Sequence, residues 1–132
     1  MMTELLAGVE LLAVQEKARA GQHHCPVFHS PHEAYGVIAE ELLEARTEVS
    51  CLHGVEQSLL RVIHKDDHDL YCATLKELRN AAQRAAAELV QVVAMCDKAL
   101  DSTNAVFDPC DLARRNAERY RVYAKGDWGQ GE

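Results

Sequence analysis

Two short pairs of side-chain oxygen donors, far apart in the chain, have the residue types and spacing that hold hard cations. They are Glu41-x-x-Glu44 and Glu88-x-x-Gln91. Residues at i and i+3 share one face of a helix. Two such pairs on antiparallel helices can therefore converge on one cation. Mg²⁺, or Mn²⁺ in its place, prefers oxygen ligands and keeps several waters, which leaves room for substrate phosphates. Glu40 and Glu48 stand on the same helix as the first pair, and either could add charge. Glu48 is better placed, one turn beyond Glu44. Like charges at i,i+4 oppose helix formation by about 0.2–0.5 kcal/mol per pair, a cost that a divalent cation would offset. The competing reading is that such a glutamate-rich face is simply solvated.

Other candidates group around these. Arg84, Glu88, Gln91 and Lys98 fall on one helical stripe. Arg84 or Lys98 is thus expected either to touch a substrate phosphate or to be a surface charge paired with nearby acids. Asp97, nine residues beyond Glu88, falls on the opposite side of the helix and cannot replace an acid at position 91. Cys25, His29 and His32 form a C-x-x-x-H-x-x-H run. A zinc site would want a fourth ligand, and none is evident, so capping, packing or substrate contact is the expected role of the His/Cys stretch at 23–32. The run His64-Lys65-Asp66-Asp67-His68-Asp69 reads as a polar turn that caps the following helix through Asp67 or Asp69. No Gly-rich phosphate loop, G-x-S-x-G or H-E-x-x-H occurs.

The elements that must position these groups are helices. Ser30, Pro31 and Glu33 make a capping box with proline at the first helical position, which opens a helix expected over 31–49. Around it, Glu33, Glu40, Glu44 and Glu48 fall within about 80°, with Glu41 at the edge. Ala34, Ile38, Leu42, Ala45 and Val49 gather on the adjacent side, with Tyr35 beside them. A break is expected at 50–54, then a short helix over 55–64 with Val55, Leu59, Leu60 and Ile63 inward. Residues 70–100 contain no Pro or Gly and read as one long helix or two with a kink near Asn80. Its small side chains at 80–88 admit a close neighbour, and the apolar stretch to Met95 reads as buried. Glu88 inside that stretch is anomalous, because carboxylates are seldom buried alone. An N-terminal helix is expected over 3–20, ended by Gly21, with Leu5, Val9, Leu12, Ala13 and Glu16 recurring on one face. A last helix is expected over about 109–124, carrying Arg114, Arg115, Arg119 and Arg121. A flexible tail with Trp128 follows at 125–132.

The whole therefore reads as one all-α domain over residues 1–132. The 132 residues suit a single core, and 48% hydrophobic with 5% aromatic residues means a core of Leu, Val, Ile and Ala. A net charge of −7 argues against a nucleic-acid partner, since phosphate backbones require a basic stripe. No apolar stretch suits a membrane span and no basic leader occurs, so a cytoplasmic location is expected. Five cysteines at scattered spacings suggest reduced thiols rather than a disulfide framework. The apolar, Ala-rich later helix points to partner helices, hence a homo-oligomer, dimer or tetramer.

The pattern Glu40-Glu41-Leu42-Leu43-Glu44, followed by Glu88-Leu89-Val90-Gln91 and the apolar run VVAMCDKAL, resembles the MazG-like nucleotide pyrophosphohydrolases of the all-α NTP pyrophosphatase superfamily. Their signature is E-x-x-E on one helix and E-x-x-D on a later one. The likeness covers about residues 29–101 and extends to small MazG-like proteins of phages and prophages. The resemblance implies an oligomer of helical hairpins that hydrolyses nucleoside triphosphates to monophosphate and pyrophosphate with Mg²⁺. In it, Glu41, Glu44 and Glu88 would be the metal ligands and catalytic residues, and Gln91 stands where the family has aspartate. That departure removes a negative charge, with Glu48 or Glu40 as the candidates to restore it. The alternatives are a catalytically impaired nucleotide- or metal-binding protein and a purely structural helical oligomer.

Overall fold

The computed structural model describes residues 1–105, with side chains to residue 103, and the basic segment expected at 109–124, Cys110 and the tail lie outside them. The described residues form three helices packed on one another: α1 (Met2–His23), α2 (Pro31–Lys65) and α3 (His68–Ala105). None of these is long and apolar enough to cross a membrane. The four described cysteines, Cys25, Cys51, Cys72 and Cys96, are free thiols.

α2 starts as its sequence dictates. The Ser30 hydroxyl accepts the Glu33 N–H at 3.1 Å. Glu33 in turn accepts the backbone N–H of His29 at 2.9 Å, one residue earlier than a standard capping box would have it. The helix then runs 35 residues without the break expected at 50–54. Gly54 has open space at its Cα, and its carbonyl accepts the Ser58 hydroxyl at 3.2 Å. One exposed glycine costs a helix only about 1 kcal/mol, which long packing against α3 outweighs. The inward face of this second half also differs from expectation. Val62 is buried, whereas Leu60 and Ile63 are exposed.

Two residues turn α2 into α3. Asp66 adopts a left-handed conformation (φ 56, ψ 35), and its N–H donates to the Ile63 carbonyl. Asp67, one of the two candidate caps, accepts the Leu70 N–H at 3.0 Å. Such a short connection makes the helices antiparallel neighbours. α3 runs 38 residues as a single element, with no division at Asn80. Ala45, Ala81 and Ala85 are buried between the helices, so the small residues of 80–88 admit a close neighbour as expected.

α1 passes through Gly21 to His23, and the His24 N–H closes it on the Ala20 carbonyl. It packs on α3, where Ala13 joins Phe28, Ala34, Ala94 and Met95 in one cluster. Lys17 pairs with Asp101 at 2.7 Å. Phe28, from the connector, is 1% exposed, and its N–H donates to the buried Ser102 hydroxyl at 2.7 Å. Only part of the expected apolar face of α1 is used. Ala13 is buried, while Leu5, Val9 and Leu12 are exposed. The apolar stretch of α3 is likewise half open, with Leu89 and Val93 exposed and Ala94 and Met95 buried. On α2, Ala34 and Ala45 are buried but Val49 and Tyr35 are exposed.

Candidate acidic site

The antiparallel hairpin carries Glu41 and Glu44 to the same level as Glu88. Glu41 and Glu44 of α2 and Glu88 of α3 each place one carboxylate oxygen within 4.8 Å of the others. Glu44 is exposed, whereas Glu41 and Glu88 are half-buried. One oxygen of Glu41 and one of Glu88 (Oε2 in each) are buried and find no hydrogen-bond partner among the described residues. Buried polar oxygens normally have partners, so these two are the anomaly of the site.

The electrostatics follow from that geometry. Burial pushes the Glu41 carboxyl above its ordinary value, and the charges of Glu44, Glu88, Glu40 and Glu16 push it further. Burial also raises Glu88, helped by the charges of Glu44 and Glu48. Among the described residues, no cationic side chain pairs with Glu41, Glu44 or Glu88. A divalent cation would neutralise the crowding and give the two orphaned oxygens a partner. The donor set is all oxygen, which suits Mg²⁺ or Mn²⁺ and does not suit a soft metal.

The remaining sequence candidates occupy distinct places. Glu48 pairs with Arg84 at 3.3 Å across the two helices. Arg84 is thus engaged by an acid, as the surface-pair reading holds, and Glu48 is partly neutralised. Glu40 is exposed and contributes charge toward Glu41. Gln91 is half-buried, a turn beyond Glu88. Being neutral, it leaves the cluster with three carboxylates. Lys98 departs from both expectations for it. It is only 8% exposed, its ammonium lies 4.3 Å from the Phe28 ring centroid, and it sits about 15 Å along α3 from Glu88. It anchors the connector instead of lining the acidic cluster.

Among the described residues, no zinc set forms at the connector. Cys25 and His29 approach at 3.7 Å, but among the described residues the three glutamates are the one group of potential ligands that converge.

Glu16 of α1 is the site neighbour that spacing alone did not assign. Its charge reaches Glu41, and its own carboxyl is lowered chiefly by the hydrogen bond from Arg19, against the effect of burial. The Arg19 Nε donates to it at 2.9 Å. The signal was present, since Glu16 continues the apolar stripe of α1 and so had to face the bundle. A groove of about 400 Å³, lined by Leu42, Ala45, Arg46, Val49, Ser50 and Leu89, shares the helices of the site.

No family model matches the chain, and neither a curated protein nor a solved structure shows significant similarity to it. What can be said of its chemistry therefore comes from its own residues.

Proposed function

We propose that the protein is a MazG-like, Mg²⁺-dependent nucleoside triphosphate pyrophosphohydrolase. The observation that carries this reading is the meeting of Glu41, Glu44 and Glu88 from two helices, with two buried oxygens that find no partner among the described residues. Glu41, Glu44 and Glu88 would hold the cation, with the carbonyl oxygen of Gln91 as a neutral fourth donor. A bound cation supplies charge neutralisation at the phosphates. Glu44, the most open of the three, is where solvent and substrate first meet the cluster. The apolar groove at Leu42, Val49 and Leu89 offers a surface for a nucleobase. Water would add to the α-phosphorus and the bond to the β-phosphate oxygen would break, which releases nucleoside monophosphate and pyrophosphate.

The exposed leucines and valines of all three helices favour a homo-oligomer of this hairpin type. Gln91 supports a second reading, in which the cluster binds metal and nucleotide without turnover. The experiment is pyrophosphate release from a panel of canonical and modified nucleotides with Mg²⁺ or Mn²⁺. Release abolished in Glu44→Ala and Glu88→Ala supports the enzyme. Nucleotide binding without release supports the second reading. Absence of both, with no change in melting temperature on adding Mg²⁺, refutes the two together.

A further inference from the structure

The polar face of the α2–α3 hairpin continues one turn past the acidic cluster. Glu44 and Glu88 are followed, toward the turn between the helices, by Glu48 on α2 and Arg84 on α3. Residues at i and i+4 share a helix face and lie about 6 Å apart along it. Arg84 therefore stands on the face of Glu88, one turn away. Its Nε donates to Glu48 Oε2 at 3.3 Å across the seam. The charge of Glu48 in turn reaches Glu88, so the pair and the cluster adjoin. The contact is a single one. Arg84 is 55% exposed along its side chain, and its terminal amino groups make no hydrogen bond among the described residues.

Charge decides what such a side chain can do. Glu41, Glu44 and Glu88 around one Mg²⁺ still leave an excess of negative charge, and a polyphosphate chain adds more. A chain seated there needs a further cation on this face. Arg19 is occupied, because two of its nitrogens bind Glu16. Lys98 lies against the Phe28 ring. Of these three, Arg84 has donors to spare. An exposed ion pair held by one contact is worth little, whereas a guanidinium binds phosphate through two parallel, charge-assisted hydrogen bonds. We propose that Arg84 grips the outer phosphates of the substrate and so makes the site select triphosphates over diphosphates. This rests on the reading of the cluster as a cation site for nucleotides. With the cation at Glu44 and Glu88, the phosphate chain runs along the hairpin toward Arg84. A triphosphate reaches the guanidinium, and a diphosphate, one unit shorter, ends before it. On hydrolysis the same contact takes up the negative charge that develops on the departing pyrophosphate.

Calorimetric titration of the full chain with inorganic tripolyphosphate and with pyrophosphate, both in Mg²⁺, tests this without turnover. Affinity for Mg²⁺ alone is read separately from the melting shift it causes. Wild type should bind tripolyphosphate at least about tenfold tighter than pyrophosphate. Arg84→Gln should leave Mg²⁺ affinity within about threefold, yet weaken tripolyphosphate at least about tenfold and abolish the preference. Arg84→Lys keeps the charge without the paired donors and should recover only part of the loss. The double variant Glu48→Gln with Arg84→Gln keeps the net charge of the face, and tripolyphosphate should remain at least about tenfold weaker. The pair is exposed, so all three variants should fold. Tripolyphosphate bound equally tightly by wild type and Arg84→Gln overturns the proposal and leaves the cation site standing. Wild-type affinity in the double variant also overturns it, since Arg84 would then act through net charge alone. A wild type that binds neither Mg²⁺ nor polyphosphate overturns the proposal and the cation-site reading together.

Discussion

Replacing Glu88 by glutamine should stabilise the metal-free protein, although it removes a central residue of the site. The substitution keeps the shape and deletes one of three mutually repelling charges. At 4.8 Å, a pair of unit charges repels by about 0.9 kcal/mol in a water-like medium and about 3.5 kcal/mol at an effective dielectric of about 20. Glu44 is open to solvent, which places the pair nearer the lower figure. The gain from relieving Glu41 and Glu44 is thus about 1–3 kcal/mol, or about 3–10 °C in melting temperature. The pH dependence has a definite sign. Glu88 and Glu41 are raised above 4.5 in the folded chain, so the folded state binds more protons than the unfolded one in the window just above that value. Wild-type stability therefore falls as pH rises through that window, and the penalty is complete above the folded-state values. The advantage of the glutamine variant should accordingly be full at pH 7.5 and shrink as the pH approaches 4.5. Thermal melts in EDTA at low salt, at both pH values, measure it. Mg²⁺ should then reverse the order. At a concentration ten times its dissociation constant, a cation bound only to the folded wild type adds about 1.4 kcal/mol, and the variant should lose most of that. A variant less stable than wild type at pH 7.5 without metal, or a gain that does not change with pH, would refute the electrostatic account.

Further expectations rest on the packing. Phe28→Ala should cost about 3–5 kcal/mol in denaturant unfolding, because the ring is fully buried beneath the Lys98 ammonium. Ser102→Ala should cost about 1–3 kcal/mol by leaving the buried Phe28 N–H without its acceptor, read in the same titration. Ala85→Leu should destabilise by about 1–3 kcal/mol through overpacking between α2 and α3, whereas Leu60→Ala, on an exposed position, should fall within about 0.5 kcal/mol in the monomer. Ser30→Ala should cost about 1 kcal/mol and raise hydrogen exchange in the first turn of α2.

Much of this arrangement was legible from residue order alone. The start of α2 follows from Ser30, Pro31 and Glu33, because capping is a local hydrogen-bond problem. The close approach of α2 and α3 follows from Ala81 and Ala85, and the pairs Glu41/Glu44 and Glu88/Gln91 are visible as i,i+3 spacings. Helix ends next to glycine were read less well. Gly21 and Gly54 lie within helices, because a propensity cost of about 1 kcal/mol yields to tertiary packing. Periodicity also could not say which apolar residues find a neighbour. Leu5 and Ala13 share a stripe, and only the crossing of α1 over α3 decides that Ala13 is covered and Leu5 is not. The same holds at the cluster. Composition placed Glu88 in an apolar helix, but that Glu44 rather than Glu48 joins it, that Arg84 takes Glu48, and that Glu16 bears on Glu41 are matters of long-range register. Spacing along one helix is set by the backbone, whereas distance between helices is set by which side chains fill the space between them.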